Sequence, residues 1–241
     1  MNYDVWTERT KLLLGNEKLE KLKNSHVLVV GLGGVGAVAA EMLCRAGITY
    51  LTIVDGDKFV PSNLNRQIPS LNSNLDRGKA EVLAERLQDI NPEVKIERYG
   101  VFLEPNIIYG LFLEKKYDYV IDAIDTIAPK LELIRYCIEK KIPIISSMGA
   151  GGKLDPSKVR VADISRSYQC KLAQRIRKKL KKENRIYKGL RVVFSPEPVP
   201  KESIQIVGEK YKKSSAGTIS YMPAIFGIYA ASEVINAIIK R

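Results

Sequence analysis

Short apolar runs alternate with amphipathic segments along the first 150 residues of the chain. The apolar runs have the length and bounding residues of buried parallel strands, whereas the amphipathic segments have the apolar spacing of helices. Strands that alternate with helices predict an α/β fold, a doubly wound, mostly parallel sheet with helices on both faces. The predicted strands are 26–30, 49–54, 94–97, 119–122, 143–146 and, after a glycine-rich connection, 159–164; the predicted helices are 8–23, 34–47, 77–90, 105–114 and 129–140.

The second half of the chain is marked by a strongly basic segment. Residues 166–191 carry eleven cations and a single acid, Glu183. Leu172, Ile176 and Leu180 recur every four residues within it, which predicts a basic amphipathic helix. Because stabilising surface ion pairs need both signs of charge, the excess favours contact with a nucleic acid over a merely solvated face. The cations expected to make that contact are Arg175, Lys178, Lys179, Lys181 and Lys182.

The rest of the second half predicts a continuation of the first region. Residues 196–216 are predicted to form a loop or flap, and 219–239 is the most apolar late stretch. Glu233 within that stretch favours a helix in the core or at a subunit contact over a membrane span. We expect residues 1–150 and their C-terminal extension, residues 151–241, to form one compact domain.

The overall composition adds a large positive charge and few cysteines. The 241 residues carry a formal net charge of +12 and have a pI of about 9.5, which favours a polyanionic partner. Cys44, Cys137 and Cys170 form no CxxC pair, so buried inert thiols are expected, and neither a disulfide framework nor a zinc site. The polar N-terminus lacks the apolar core of a signal peptide. We expect a cytoplasmic protein that does not insert into membranes.

A glycine loop follows the first predicted strand and opens the next predicted helix. Its residues Gly31, Gly33, Gly34 and Gly36 fit the pattern GxGxxG, and Asp55 ends the second predicted strand. Glycines permit the tight turn and let phosphate approach backbone N–H groups at the helix N-terminus, while the carboxylate can bind ribose hydroxyls. This indicates a Rossmann-like nucleotide site. A tight strand–helix turn without a ligand is the structural alternative.

Three further motifs indicate which kind of nucleotide-binding protein this is. DGDKFVPSNLNRQ occupies residues 55–67, Arg77-Gly-Lys79 follows, and Asp122-Ala-Ile-Asp125 ends the fourth predicted strand. In this order and spacing, over about residues 9–150, they resemble the ubiquitin-activating E1 enzymes and their bacterial relatives that activate sulfur-carrier proteins. These enzymes use ATP to convert a carboxylate into an acyl-adenylate.

The resemblance implies a role for each matching residue. Arg66 would contact the ATP phosphates, where a planar cation suits charge gathering at the α-phosphate. Lys79 would neutralise phosphate charge, and Asp125 would hold Mg²⁺, which favours carboxylate oxygen. Arg9 would reach the ATP site of the other subunit, which implies a homodimer. Surface ion pairs for Arg66 or Lys79 and a strand-end cap for Asp125 are the structural alternatives. The resemblance also places Asp55, Asp57 and Asn63 at the nucleotide.

The second half resembles one branch of this family, the bacterial dehydratases that cyclise the threonylcarbamoyl group on adenosine 37 of certain tRNAs. The matching stretches are 148–156, 161–164, 193–195 and 215–223. This implies tRNA as the partner of the basic helix. The chain lacks the zinc-binding CxxC pairs usual in sulfur-carrier-activating members. It also has no cysteine at 212–215, where some members of this branch have one, so any sulfur-transfer partner is left open.

Three other functions compete with the dehydratase reading. An adenylyltransferase for the Gly-Gly tail of a small sulfur-carrier protein would use the same ATP motifs. An NAD(P)-dependent oxidoreductase explains the glycine loop and Asp55, but not Asn63, Arg66, Lys79 and Asp125 together. A non-catalytic nucleotide-binding scaffold would not require the full set of polar residues.

Overall fold

The structure of the chain is a computed structural model that describes residues 3–113, 115–206 and 214–241. Three short helices come first: α1 (Tyr3–Trp6), α2 (Glu8–Leu14) and α3 (Asn16–Lys23). The sequence pattern predicts one helix over 8–23. The structure divides it at Gly15, whose φ of +80° leaves the right-handed helical region.

Five parallel strands and their connecting helices follow, and their ends lie within two residues of the predicted bounds. Residue 114, at the end of one predicted helix, lies outside the described residues. The elements are β1 (His26–Val30), α4 (Gly36–Arg45), β2 (Tyr50–Val54), α5 (Lys79–Ile90), β3 (Lys95–Tyr99), α6 (Pro105–Phe112), β4 (Tyr119–Asp122), α7 (Ile127–Glu139) and β5 (Ile144–Ser147).

The second half adds two strands to the same sheet. The remaining elements are β6 (Arg160–Asp163), α8 (Lys171–Asn184), β7 (Arg191–Phe194), β8 (Ile204–Ile206), β9 (Ser214–Ala216) and α9 (Tyr221–Ile239). The seven strands are ordered β3-β2-β1-β4-β5-β7-β6, and β6 at the edge is antiparallel to β7. The sequence pattern did not predict β7. The predicted flap at 196–216 includes the antiparallel pair β8–β9, and its residues 207–213 lie outside the described part.

The alternation of side chains along the strands divides the core into two layers. Val27 and Val29 face a layer that includes residues of α4, α5 and α9, whereas Leu28 and Val30 face one that includes residues of α6, α7 and α8. Because both faces of the sheet are covered, the central strands β1, β2 and β4 are mostly apolar and buried on both sides. This confirms the predicted doubly wound α/β fold.

Helix α9 closes the first of these layers. By length and composition it could cross a membrane, but residues along its whole length, including Phe226, Ala230 and Val234, are buried against the rest of the chain. A Cβ on Gly227 would lie 2.4 Å from the carbonyl oxygen of Val35, so glycine lets α9 pack closely on the start of α4. Arg191 of β7 also forms an ion pair with Glu233 of α9, at 2.7 Å.

Candidate active site

The predicted nucleotide residues gather where β1, β2 and β4 end. The strand order reverses between β1 and β4, and ligands of open parallel sheets bind outside the carboxyl ends of the strands at such a switch point. Backbone hydrogen bonds join the three exits: Gly31 donates to the carbonyl of Val54 at 2.9 Å, and Ala123 donates to that of Val30 at 2.8 Å. The glycine loop, Asp55 and the Asp122–Asp125 loop therefore share one edge of the sheet.

The four loop glycines have different structural reasons. Gly31 has a φ of +85°, and a Cβ on it would lie 2.7 Å from the carbonyl oxygen of Ala123. A Cβ on Gly36 would lie 1.8 Å from the carbonyl oxygen of Gly31, and one on Gly34 would lie 2.7 Å from that of Arg66. On Gly33 the nearest atom would be 3.7 Å away. Three glycines are thus required by the fold of the loop, while a Cβ on Gly33 would make only an ordinary van der Waals contact with Gln67.

Asp55 is oriented by the glycine loop itself. Its Oδ2 accepts a hydrogen bond from the backbone N–H of Leu32 at 2.6 Å, and its Oδ1 accepts one from that of Asp57 at 2.8 Å. Burial raises the pKa of the Asp55 carboxyl, and the charge of Lys79 and the two backbone donors oppose that rise. The carboxylate is therefore fixed at the end of β2, where a ribose could bind.

Lys79 and Asp57 form an ion pair beside it, with 2.9 Å between Nζ and Oδ2. The side chain of Lys79 is 7% exposed and that of Asp57 is 54% exposed. The backbone N–H of Lys79 also donates to the carbonyl oxygen of Asp57 at 2.9 Å, which fixes the first residue of α5 against the DGD turn. The structure thus brings Lys79 to the Asp55 side of the site, although it is already paired.

The SNLNRQ turn, residues 62–67, lies against the glycine loop. Asn63 is buried; its Oδ1 accepts from the backbone N–H of Val60 at 3.2 Å, and its carbonyl accepts from those of Arg66 and Gln67. Nη1 of the partly exposed Arg66 donates to the carbonyl of Ser62 at 2.6 Å. Asn63 therefore shapes the turn that presents Arg66 next to Gly34.

Gln67 is a site residue that the sequence analysis did not single out. It is 6% exposed, and its Oε1 is buried without a hydrogen-bond partner in the described structure. It is also the residue nearest to a Cβ on Gly33. A buried polar atom without a partner costs free energy unless a ligand or water satisfies it. Its position at the end of the DGD…RQ motif was the available signal.

A buried ion pair supports the loop after β4. Asp122 and Lys130 have fully buried side chains, with 2.7 Å between Oδ2 and Nζ. Asp122 also accepts from Ser146 Oγ at 2.6 Å and from the N–H of Ile124 at 3.0 Å, and Lys130 donates to the carbonyl of Ile124 at 2.9 Å. These bonds fix the loop, which leads to the exposed Asp125.

The roles of Lys130 and Ser146 were not predicted from the sequence. The available signal was the position of Lys130 on the apolar face of α7, at helical spacing from Leu133, Ile134 and Cys137, which are all buried. A cation on such a face needs a buried acid, and Asp122 is that acid.

The basic segment forms helix α8 as predicted, with an apolar and a cationic face. Ala173, Ile176 and Leu180 are buried, while Leu172 is only partly so. Nη1 of Arg177 donates to the carbonyls of Ile164 and Ser167, so this cation also has a structural role. The predicted nucleic-acid contacts Arg175, Lys178, Lys179, Lys181 and Lys182 are all exposed. Arg9 is exposed on α2.

A family model, that of the ThiF family, matches residues 8–241. The chain belongs to the ThiF family. It is 36% identical to tRNA threonylcarbamoyladenosine dehydratase of Escherichia coli (strain K12), over 99% of this chain and 96% of that protein. It is 38% identical to the dehydratase of the same name from Bacillus subtilis (strain 168), over 96% of this chain and 94% of that protein.

A solved structure extends this similarity to three dimensions. It is the crystal structure of E. coli tRNA N6-threonylcarbamoyladenosine dehydratase in complex with ATP, with a TM-score of 0.87 and 36% identity over 98% of this chain and 96% of that one. The resemblance to the E1-like enzymes, and within them to this dehydratase branch, is therefore confirmed.

The thiols of this ThiF-family chain are buried. Cys44, Cys137 and Cys170 are all free and buried. Burial raises the pKa of the Cys44 thiol to about 12 and raises that of Cys137 as well. Because the thiolate is the nucleophile, neither of these two is suited to covalent chemistry. Within the described residues, no group of three or more His, Cys, Asp or Glu side chains is placed to hold a metal ion.

Proposed function

We propose that this ThiF-family chain is an ATP-dependent dehydratase that cyclises N6-threonylcarbamoyladenosine at position 37 of tRNA. The observation that carries the proposal is its similarity, over nearly the full length of both chains, to dehydratases named for that nucleoside. The ATP complex of one such relative supports ATP as the co-substrate. The arrangement of Gly33, Asp55, Arg66 and Lys79 at one edge of the sheet fits the same nucleotide.

The nucleotide would bind across the switch point. Its phosphates would lie over Gly33, where a Cβ meets nothing closer than 3.7 Å, at the start of α4. The fixed carboxylate of Asp55 would accept hydrogen bonds from the ribose. Arg66, Lys79 and Asn63 would contact the phosphates or the ribose, and Asp57 would position Lys79. The orphaned Oε1 of Gln67 fits a ligand that carries hydrogen-bond donors.

The chemistry follows from acyl activation. The carboxylate of the threonylcarbamoyl group attacks the α-phosphate of ATP, an acyl-adenylate forms and pyrophosphate leaves. Arg66 and Lys79 stabilise the negative charge that gathers on the phosphates. The neighbouring carbamoyl group then attacks the activated carbonyl, which closes a ring and expels AMP, so the nucleoside loses one water. Because this nucleophile is already attached to the substrate, the enzyme needs no thiol.

Mg²⁺ is the metal expected at this site. The exposed carboxylate of Asp125 is a hard oxygen ligand at the mouth of the switch point, which fits the ion. With no cluster of three metal-binding side chains in the described residues, its remaining ligands would be ATP oxygens and water. When bound, it would neutralise phosphate charge and favour the departure of pyrophosphate. Zinc is not expected.

Two further parts of the proposal concern partners. Helix α8 would contact tRNA through its exposed cations, consistent with the net charge of +12.

The chain would act as a homodimer in which Arg9 reaches the ATP site of the other subunit. Leu12 and Leu13, near Arg9 on α2, are 74% and 82% exposed, and such apolar side chains suit a subunit contact. The sequence leaves a sulfur-transfer partner open.

The remaining proposals concern organisation and location. Residues 1–150 would bind ATP, and residues 151–241 would add the tRNA-contacting helix and α9 within one compact domain. The pairing of β5 with β7 across that boundary supports a single domain. We place the protein in the cytoplasm, where tRNA is available.

The direct test measures AMP and pyrophosphate released from ATP and Mg²⁺, with and without tRNA that carries threonylcarbamoyladenosine. Mass analysis of the nucleosides should show the loss of one water. Arg66→Ala should abolish both signals, while Arg45→Ala, which changes an arginine at the far end of α4, should keep them. ATP turnover that requires a Gly-Gly-tailed carrier protein and not tRNA would favour the adenylyltransferase instead. Binding of NAD(P) and not ATP would favour the oxidoreductase.

A further inference from the structure

A basic groove lies beside the C-terminal part of α8, outside the site described above. Its volume is about 400 Å³, within the ~300–1,000 Å³ typical of small-ligand sites. It is lined by Arg177, Lys178 and Lys181 of α8 and by Ser165, Ile186 and Tyr187 from the flanking turns. The described residues that line it include three cations and no carboxylate.

An exposed aromatic ring stands among these cations. Tyr187 is 58% exposed, and the Nζ of Lys181 lies 5.6 Å from the centroid of its ring. Arg177 is fixed by donating from Nη1 to the carbonyl of Ile164 and to the hydroxyl and carbonyl of Ser167. A ring on which a base can stack, beside cations for the backbone, is how proteins bind single-stranded nucleic acid.

The groove and the nucleotide residues lie at opposite ends of the strands. The nucleotide residues follow the carboxyl ends of the parallel strands, and the groove lies where β7 begins. Ser165 follows β6, whose last residue, Asp163, pairs with Arg191 at the amino end of β7. The connection after Tyr187 is held there as well, because Gly189 donates to the Asp163 carboxylate at 2.6 Å. Strands of four or five residues separate the two ends by ~15 Å. The groove therefore cannot hold the adenosine that reacts in the same chain.

We propose that this groove binds a second nucleotide of the tRNA, one that does not react. Its base stacks on Tyr187, and its phosphate lies against Lys178 and Lys181. This inference rests on the proposed function, because it identifies how the same tRNA substrate is held. An exposed ring among cations favours single-stranded RNA over an acidic peptide, which would need the cations alone.

The stacking of a base on Tyr187 is tested by measuring the binding of unmodified tRNA and of a short oligouridine by fluorescence anisotropy at fixed salt. Tyr187→Ala should raise the Kd for both by about five- to 150-fold, the range for loss of one base–aromatic contact. Tyr187→Phe keeps the ring and should stay within about twofold. Tyr109→Ala, at an exposed tyrosine on α6, is the matched control. Unchanged binding by Tyr187→Ala, or an equal affinity for a polyglutamate peptide, overturns the inference.

Kinetics separate this inference from the proposed function. With threonylcarbamoyladenosine-bearing tRNA, Tyr187→Ala should raise KM and leave kcat near that of the wild type, since it does not touch the reacting atoms. An ultraviolet crosslink from Tyr187 should map to a nucleotide other than the dehydrated adenosine, and a crosslink to that adenosine overturns the placement. If the wild-type chain does not dehydrate the modified tRNA, the proposed function is wrong. If the wild-type chain does dehydrate it and Tyr187→Ala has the same KM and kcat, only the proposal for the groove is wrong.

Discussion

At the residue scale, two glycines of the same loop separate the fold of the loop from ligand binding. A Cβ on Gly36 would lie 1.8 Å from a backbone oxygen, whereas one on Gly33 meets nothing within 3.5 Å. Gly36→Ala should therefore destabilise the protein by ~1–3 kcal/mol or more. Gly33→Ala should keep stability within ~1 kcal/mol and weaken ATP binding by about tenfold, because the methyl group occupies the space where phosphate approaches.

Chemical denaturation and ATP titration by calorimetry check this pair of variants. Gly36→Ala should lower the free energy of unfolding, whereas Gly33→Ala should lower the affinity for ATP. Full ATP affinity in a folded Gly33→Ala protein would show that phosphate does not approach the loop at that residue.

Breaking the buried ion pair of Asp122 and Lys130 should strongly destabilise the protein. Lys130→Met leaves Asp122 buried without its cation and should destabilise the protein by ~3–5 kcal/mol in denaturant titrations. Adding Asp122→Asn removes the uncompensated charge, so the double variant should be more stable than Lys130→Met alone.

A control for that pair lies at the end of the same helix. Lys140→Met changes an exposed lysine and should alter the free energy of unfolding by no more than ~0.5 kcal/mol. A cost for Lys130→Met as small as that of the control would mean that the ion pair does not support the loop.

At the element scale, α8 has two faces with separable roles. Leu180→Ala removes a fully buried side chain and should cost ~2–5 kcal/mol of stability. Replacing Lys178, Lys179, Lys181 and Lys182 together with Gln should leave unfolding nearly unchanged, because the Lys179–Glu183 ion pair is exposed.

The same quadruple variant should bind tRNA more weakly. The slope of log Kd against log salt should fall by about three, from four lost phosphate contacts at ~0.7–0.9 each. Binding measured from 50 to 200 mM salt checks this. A wild-type affinity that does not depend on salt contradicts the contact.

At the scale of the whole molecule, the proposed dimer can be tested through its shared sites. Arg9→Ala and Arg66→Ala chains should each be inactive alone. When they are unfolded together and refolded in equal amounts, half the dimers are mixed, and each mixed dimer has one intact site. Activity should recover to about a quarter of wild type in the nucleoside assay. No recovery, with mixed dimers shown by mass spectrometry, would indicate that Arg9 acts within its own chain, and full activity of Arg9→Ala alone would indicate that Arg9 has no role at the site.

The sequence by itself determined the class of fold, the nucleotide loop and the basic helix. These follow from local periodicity and from motifs that are contiguous along the chain, so each could be read without knowing what lies nearby. The strand ends and helix ends were within two residues for the same reason. Gly15 was the local signal for the break in the first predicted helix, but the apolar periodicity continues across it.

Only the tertiary structure decided which residues support the site. The pairing of Lys130 with Asp122, the hydrogen bond from Ser146 and the position of Gln67 near Gly33 join residues from different elements, so no local pattern contains them. The insertion of β7 between β5 and β6 is likewise a matter of long-range pairing. Lys130 is buried and paired with Asp122, and the free-energy cost of burying a charge depends on the surrounding atoms, which only the tertiary structure shows.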